Sequence, residues 1–201
     1  MFFQKEKIEN GISYFIQNCS KTHKANPYKL YVYTFLAYVD FKHLEKYGVP
    51  VFDFTYTAME FGPVPMEMHF DKMFTQSDLY EFVDRPKEEE ITVRSSGISP
   101  DMDYFSENEM DIINDLIVKL KMLRNTEAIV DLCHNEIKPW EKAWNEKDRT
   151  RNQNVINWKE HIIPLIDSKD KEYIIEKITD YYSTKEYLLD KYDYLDLESI
   201  E

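Results

Sequence analysis

The sequence predicts an α+β fold, in which a mostly helical domain carries a small antiparallel sheet of three short strands. Most of the chain repeats its apolar residues at spacings of three and four, which is the period of an amphipathic helix. A few short stretches alternate apolar and polar residues instead, which is the period of a strand. The chain has only four glycines among its 201 residues, and we expect little sheet.

Two helices are predicted first, over residues 4–18 and 27–47. Ile8, Ile12 and Ile16 repeat every four residues and give the first helix an apolar face. The second helix is apolar on most sides, so we expect it to be largely buried. Gly48 is expected to end it, because glycine readily takes the left-handed conformation that closes a helix.

Extended structure is predicted next. Residues 55–61 alternate as a strand does, and Gly62-Pro63 is expected to be a rigid turn into a helix over residues 64–74. Residues 79–84 and 90–95 also alternate and predict a hairpin. Since an isolated two-stranded hairpin is only marginally stable in water, residues 55–61 are the expected third strand of its sheet.

The second half of the chain returns to helices. Ser106 and Glu109 have the spacing of a capping box, which predicts that a helix begins there. A short helix is expected over residues 127–132, and a polar loop over residues 145–154. The last helix is expected over residues 171–192, where Lys185 interrupts an apolar stripe. These boundaries divide the chain into a domain of residues 1–150 and a helical C-terminal extension of residues 151–201.

The composition favours a protein partner over a nucleic acid. The formal net charge is −13, which repels phosphate backbones and speeds association with a basic protein. The same charge is also consistent with a role in solubility alone. The first residues lack the pattern of a signal peptide, and no apolar run approaches the roughly 20 residues that cross a bilayer. We therefore expect a cytoplasmic protein with no membrane partner.

Motifs of catalysis are missing from the sequence. It has no G-x-S-x-G, no phosphate loop, no G-x-G-x-x-G and no H-E-x-x-H, so we expect no enzyme, cofactor or metal. Cys19 and Cys133 are isolated, and both are expected to be buried and reduced. His134 and Trp140 are interpreted as structural, with His134 bonded to the backbone and Trp140 in the core. An enzyme acting on a small ligand is the alternative, and it would need a deep polar pocket around His43 or His134.

Three sequence blocks carry a family resemblance. The first begins at Tyr28-Lys29-Leu30 and ends with His43-Leu44-Glu45-Lys46-Tyr47-Gly48-Val49-Pro50-Val51-Phe52. The second is Ala58-Met59-Glu60-Phe61-Gly62-Pro63-Val64. The third runs from Phe105-Ser106-Glu107 to Leu132-Cys133-His134-Asn135-Glu136 and Pro139-Trp140. In this order they resemble the Panacea domain family, the SocA-like antitoxins of bacterial and phage type II toxin–antitoxin systems, with Met59 standing where the family often has Trp.

The resemblance implies an antitoxin that neutralises a cognate toxin, encoded beside it, by direct protein–protein binding. It also implies two alternatives: an adaptor that delivers a toxin to a cytosolic protease, and a phage-encoded protein that counters host defence. Family members neutralise very different toxins, so the identity of the toxin is not implied.

Seven residues are candidates for contact with the partner, and they come from three places in the chain. Rigid turns beside sheet edges often present contacts, and tyrosine is enriched in interfaces because it joins apolar area to a polar tip. The alternatives are that the turn only redirects the chain and that the tyrosine-rich last helix packs on the domain core. The candidates are Glu60, Phe61 and Pro63 at the turn, His43 on the second helix, and Tyr181, Tyr187 and Tyr192 on the last helix.

Overall fold

The computed structural model describes residues 2–23, 27–85, 90–123, 126–146 and 154–198. The predicted α+β class and the predominance of helix are confirmed. The helices are α1 (Phe2–His23), α2 (Lys29–Tyr47), α3 (Met66–His69), α4 (Glu107–Met122), α5 (Thr126–Glu136), α6 (Lys138–Asn145) and α7 (Lys171–Glu198). The strands are β1 (Tyr56–Met59), β2 (Gly62–Pro65), β3 (Gln76–Ser77), β4 (Tyr80–Arg85), β5 (Glu90–Ser95) and β6 (Asn154–Val155). A π-helical turn (Trp158–Ile162) and a 3₁₀ turn (Ile163–Leu165) precede α7.

Helix α2 is the centre of the fold. Helices α1, α4, α5 and α7 pack against it, as do strands β2 and β5. Its residues 32–41 are all buried, as the sequence predicts. Gly48 ends α2 with a φ of 79°, and its N–H donates to the carbonyl of Leu44 at 3.0 Å. This is the left-handed cap that the glycine predicts.

The start of α2 differs from the prediction by two residues. The helix begins at Lys29, because Tyr28 is extended and forms an antiparallel bridge with Thr92 of β5. The N–H of Val93 donates to the carbonyl of Pro27 at 2.8 Å. The residues just before α2 therefore serve as a short continuation of a sheet, which no local sequence pattern reveals.

The strands form two antiparallel sheets of three strands each, in the orders β2-β1-β6 and β3-β4-β5. The predicted hairpin is confirmed as β4 and β5, although residues 86–89 of its loop lie outside the described residues. The prediction that residues 55–61 complete its sheet is wrong. Strand β1 pairs with β2 and β6 instead, and β3 is the third strand of the hairpin's sheet.

The predicted helix over residues 64–74 is also wrong. Its first residues belong to β2, and helix α3 is only four residues long. Two prolines in β2 cannot donate the N–H groups that a helix interior requires. Lys72 and Phe74 follow with positive φ angles of 59° and 56°, which no helix accommodates.

The C-terminal helices follow the prediction more closely. The capping box of Ser106 and Glu109 is present in both directions, and α4 begins after it. Helix α5 extends to Glu136, and α7 extends to Glu198, so both are longer than predicted. Residues 147–153 of the predicted polar loop lie outside the described residues, and Asn154 is in β6. None of the described helices is long and apolar enough to cross a membrane.

One hydrophobic core connects most of these elements. It includes Ile156, Trp158 and Ile162 from the segment before α7, and Ile174 and Ile178 from α7 itself. Residues beyond position 150 therefore pack with the N-terminal helices. Cys19 and Cys133 are both buried, as predicted, and no disulfide joins them.

Candidate partner-binding surface

Glu60 and Phe61 form the turn between β1 and β2. The register pairs Met59 with Gly62, so Glu60 and Phe61 form the exposed tip of the hairpin. Phe61 is 58% exposed. The predicted turn at Gly62-Pro63 is wrong, because both residues lie in β2 and are buried. Gly62 has a φ of 127°, and a Cβ on it would lie 3.2 Å from the Sγ atom of Cys133. Glycine is therefore required by conformation and by close packing on α5.

A stack of aromatic rings supports this hairpin from α5 and α6. The Trp140 indole N–H donates to the carbonyl of Met59 at 2.9 Å, and Trp140 is buried as predicted. The His134 ring lies flat on Trp140, with 4.0 Å between centroids. The buried Nε2 atom of His134 has no hydrogen-bond partner, so the backbone bond predicted for this histidine is not made at that atom. His134 acts by stacking.

His43 lies inside the molecule, on the buried face of α2. Its Nδ1 atom is 2.7 Å from the carbonyl oxygen of Val49, and its ring packs on Tyr47 at 4.6 Å. Burial lowers the pKa of His43. The structure therefore places this candidate where it fixes the loop after α2, and little of its side chain faces solvent.

Asp40 is a buried carboxylate that the sequence analysis did not single out. It accepts hydrogen bonds from the backbone N–H of Val51 at 2.8 Å, the N–H of Phe52 at 2.6 Å and the hydroxyl of Tyr56 at 2.8 Å. Burial raises the pKa of Asp40 to about 6, although these three donors favour the ionised form. Asp40 thereby joins α2 to the loop of residues 48–55 and to β1.

Helix α7 docks on this same loop. The Nζ atom of Lys185 lies 2.7 Å from the Oδ2 atom of Asp53, which has a φ of 59°. Asp53 also faces Tyr181, whose pKa is raised by burial first and further by that carboxylate. Lys185, which interrupts the apolar stripe in the sequence, thus forms an ion pair that joins α7 to the loop after α2.

A second set of contacts fixes α7 beside the π-helical turn. Tyr182 stacks on Trp158 with 5.4 Å between ring centroids, and the indole N–H of Trp158 donates to Glu186 at 3.0 Å. A cavity of about 210 Å³ lies between these residues and the Asp40 cluster. The first half of α7 therefore packs on the domain, as the alternative interpretation of the tyrosine-rich helix held.

The second half of α7 presents apolar side chains to solvent. Tyr187, Leu188 and Leu189 are all exposed, one after another along the chain. Tyr192 lies within α7, but its side chain is outside what the structure describes. Of the seven candidates, Glu60, Phe61 and Tyr187 are exposed, Tyr181 is half-buried, and Pro63 and His43 are buried.

The sequence of this chain matches the model of one known protein family. The model of the antitoxin SocA-like Panacea domain matches residues 35–141, from within α2 to within α6. Helix α1, strand β6 and helix α7 lie outside the match. Neither the curated proteins nor the solved structures include a match. Because the family model matches more than half of the chain, this protein belongs to the SocA-like antitoxin family with a Panacea domain.

Proposed function

We propose that this protein is an antitoxin that neutralises a cognate toxin by binding it directly, without catalysing a reaction. The observation that carries the proposal is the match of the SocA-like antitoxin model to residues 35–141. That range contains most of α2, the β1–β2 hairpin, α5 and the first half of α6, which includes Trp140.

The charge and the exposed side chains support a protein partner. A net charge of −13 favours a basic polypeptide over a phosphate backbone. Phe61 at the hairpin tip and Tyr187 on α7 each present a large ring to solvent, and aromatic side chains contribute strongly to interfaces. Glu60 adds a carboxylate beside Phe61. His43, Pro63 and Tyr181 would act by positioning these elements, and contact through Tyr192 is also part of the proposal.

Co-expression tests the function. The product of the gene next to this one is induced alone and together with this chain, and growth is followed. We expect the neighbouring product to stop growth alone and to be harmless beside this chain. A product that is harmless alone, or that remains toxic in the presence of this chain, contradicts the proposal.

The half-life of the toxin separates direct neutralisation from delivery to a protease. Neutralisation by binding predicts that the level of the toxin after a translation block is unchanged or higher when this chain is present. A half-life that falls with this chain, and recovers when cytosolic proteases are deleted, identifies the adaptor activity instead.

A further inference from the structure

A concave groove runs along one side of the molecule, between α1, the loop after α2, the segment before β3, and α7. Its volume is about 660 Å³. Ile8 and Phe54 contribute to its lining and are buried. We call it the α1–α7 groove.

Two further apolar side chains that line the groove are about half exposed to solvent. Met73, from the segment before β3, is 48% exposed, and Leu189, from α7, is 51% exposed. Both side chains line the same concave surface, so each leaves apolar area in contact with water there. Such surfaces mark places where a second molecule binds.

The described residues that line the groove include one more carboxylate than cation. Among the described residues that line it, the carboxylates are Glu9, Asp53 and Glu67, and the cations are Lys5 and Lys185. Asp53 and Lys185 pair with each other at 2.7 Å. Both carboxylate oxygens of Glu67 accept from the N–H of Thr55, at 2.9 and 3.1 Å. This donor is a neutral amide, so these two bonds do not balance the negative charge of Glu67.

Glu9 combines low exposure with a distant cation. Its side chain is only 17% exposed, and the Nζ atom of Lys5 is 3.9 Å away. Burial raises the pKa of Glu9, and Lys5 offsets this in part. The carboxylates of Glu6 and Asp78 raise that pKa further. A carboxylate that has lost most of its water and has only a distant cation is stabilised by any further cation that reaches it.

We propose that the α1–α7 groove binds a segment of the cognate toxin that carries both apolar side chains and a lysine or arginine. The apolar side chains pack on Met73 and Leu189, and the basic side chain pairs with Glu9. This inference rests on the proposed function and adds to it the contact surface and the chemistry of the bound segment.

Binding of the purified neighbouring gene product tests the inference by calorimetry. Met73→Asp and Leu189→Asp each place a charge on the apolar lining of the groove, and we expect each to weaken binding by at least tenfold. Val118→Asp and Met122→Asp are the matched controls, because these residues are 58% and 71% exposed on α4, outside the groove. We expect the controls to bind within twofold of the wild type.

The acidic contact is tested by Glu9→Gln, with Asp111→Asn on the exposed side of α4 as its control. We expect Glu9→Gln to weaken binding several-fold and to reduce its dependence on salt, because the removed charge is the one that attracts the basic side chain. Asp111→Asn is expected to leave binding unchanged.

Hydrogen exchange on the wild-type complex needs no substitution and provides an independent readout. We expect protection of amides in residues 4–9 and 73–76 when the toxin binds. Wild-type affinity in both groove variants, or protection confined to other surfaces, overturns the inference while the proposed function stands. A wild-type chain that does not bind the toxin at all overturns both.

Discussion

Lys185 on α7 and Asp53 in the loop after α2 form an ion pair, with 2.7 Å between Nζ and Oδ2. The two residues are 132 positions apart in the chain. Asp53 adopts a positive φ, and the neighbouring N–H groups of Val51 and Phe52 are held by Asp40. The position of α7 therefore depends on a loop conformation that a buried carboxylate of α2 determines.

Substitution of Asp40 tests this dependence. Asp40→Ala leaves two buried backbone N–H groups and a tyrosine hydroxyl without their acceptor, and we expect a loss of about 2–4 kcal/mol in the free energy of unfolding. Asp40→Asn retains one oxygen for the two N–H groups and should cost about 1 kcal/mol. Urea denaturation measures both. Equal and small effects of the two variants would show that the three hydrogen bonds do not hold the loop.

Two carboxylates give opposite dependences of stability on pH. The pKa of Asp40 rises from 3.8 to about 6 on folding, so its contribution to stability is present below pH 3.8 and is lost as the pH rises through about 6. Burial alone would raise the pKa of Glu109, but the bonds from Lys7 and Ser106 outweigh it and lower the pKa below 4.5. Its contribution is present above pH 4.5 and is lost as the pH falls.

Denaturation across this pH range checks the two signs. We expect Asp40→Asn to flatten the decline in stability between pH 3.8 and about 6, and Glu109→Gln to flatten the decline below pH 4.5. If both substitutions change the pH dependence of stability in the same direction, the pKa shift of either Asp40 or Glu109 has the wrong sign.

Gly62 and Gly97 allow a matched test of close packing. Both have positive φ angles, but a Cβ on Gly62 would meet Cys133, whereas a Cβ on Gly97 would have nothing within 4 Å. We expect Gly97→Ala to cost about 1 kcal/mol from backbone strain and Gly62→Ala about 2–4 kcal/mol. Combining Gly62→Ala with Cys133→Ala should cost less than the sum of the two. Equal costs for the two glycines would exclude the contact with Cys133.

The docking of α7 is tested with one buried and one exposed residue of that helix. Ile178 is fully buried, so Ile178→Ala should cost about 2–4 kcal/mol and speed hydrogen exchange across residues 171–182. Leu188 is exposed, so Leu188→Ala should change stability by less than about 0.5 kcal/mol. A small effect of Ile178→Ala on both measurements would mean that α7 does not depend on the domain for its order.

Helices α1, α2 and α4 could be predicted because their signals are local. The stripe of α1, the glycine cap of α2 and the capping box of α4 each lie within a few consecutive residues. Strand pairing is not local: Thr57 in β1 and Asn154 in β6 are 97 positions apart. Strand β6 is only two residues long, which is too short to show a period. The alternation of residues 55–61 thus predicts a strand, of which the structure forms Tyr56–Met59, but it does not predict the partner of that strand.

The candidate surface is predictable only in part. Gly-Pro is a strong turn signal and predicts the turn at residues 62 and 63, two residues after its position in the structure, and the β1–β2 hairpin itself is not predicted. Asp40 has no local signal, since a single aspartate in an apolar helix does not reveal which N–H groups a later loop will bring to it. Lys185 likewise has its partner on a distant loop. Contacts of this kind require the tertiary structure.

The central claim is direct contact between this chain and its toxin, and mixing the two purified proteins tests it most directly. We expect one stable complex in size-exclusion chromatography with light scattering, and loss of toxin activity in proportion to the amount of complex. Rescue of growth in cells without any complex between the purified proteins at micromolar concentration would contradict the account.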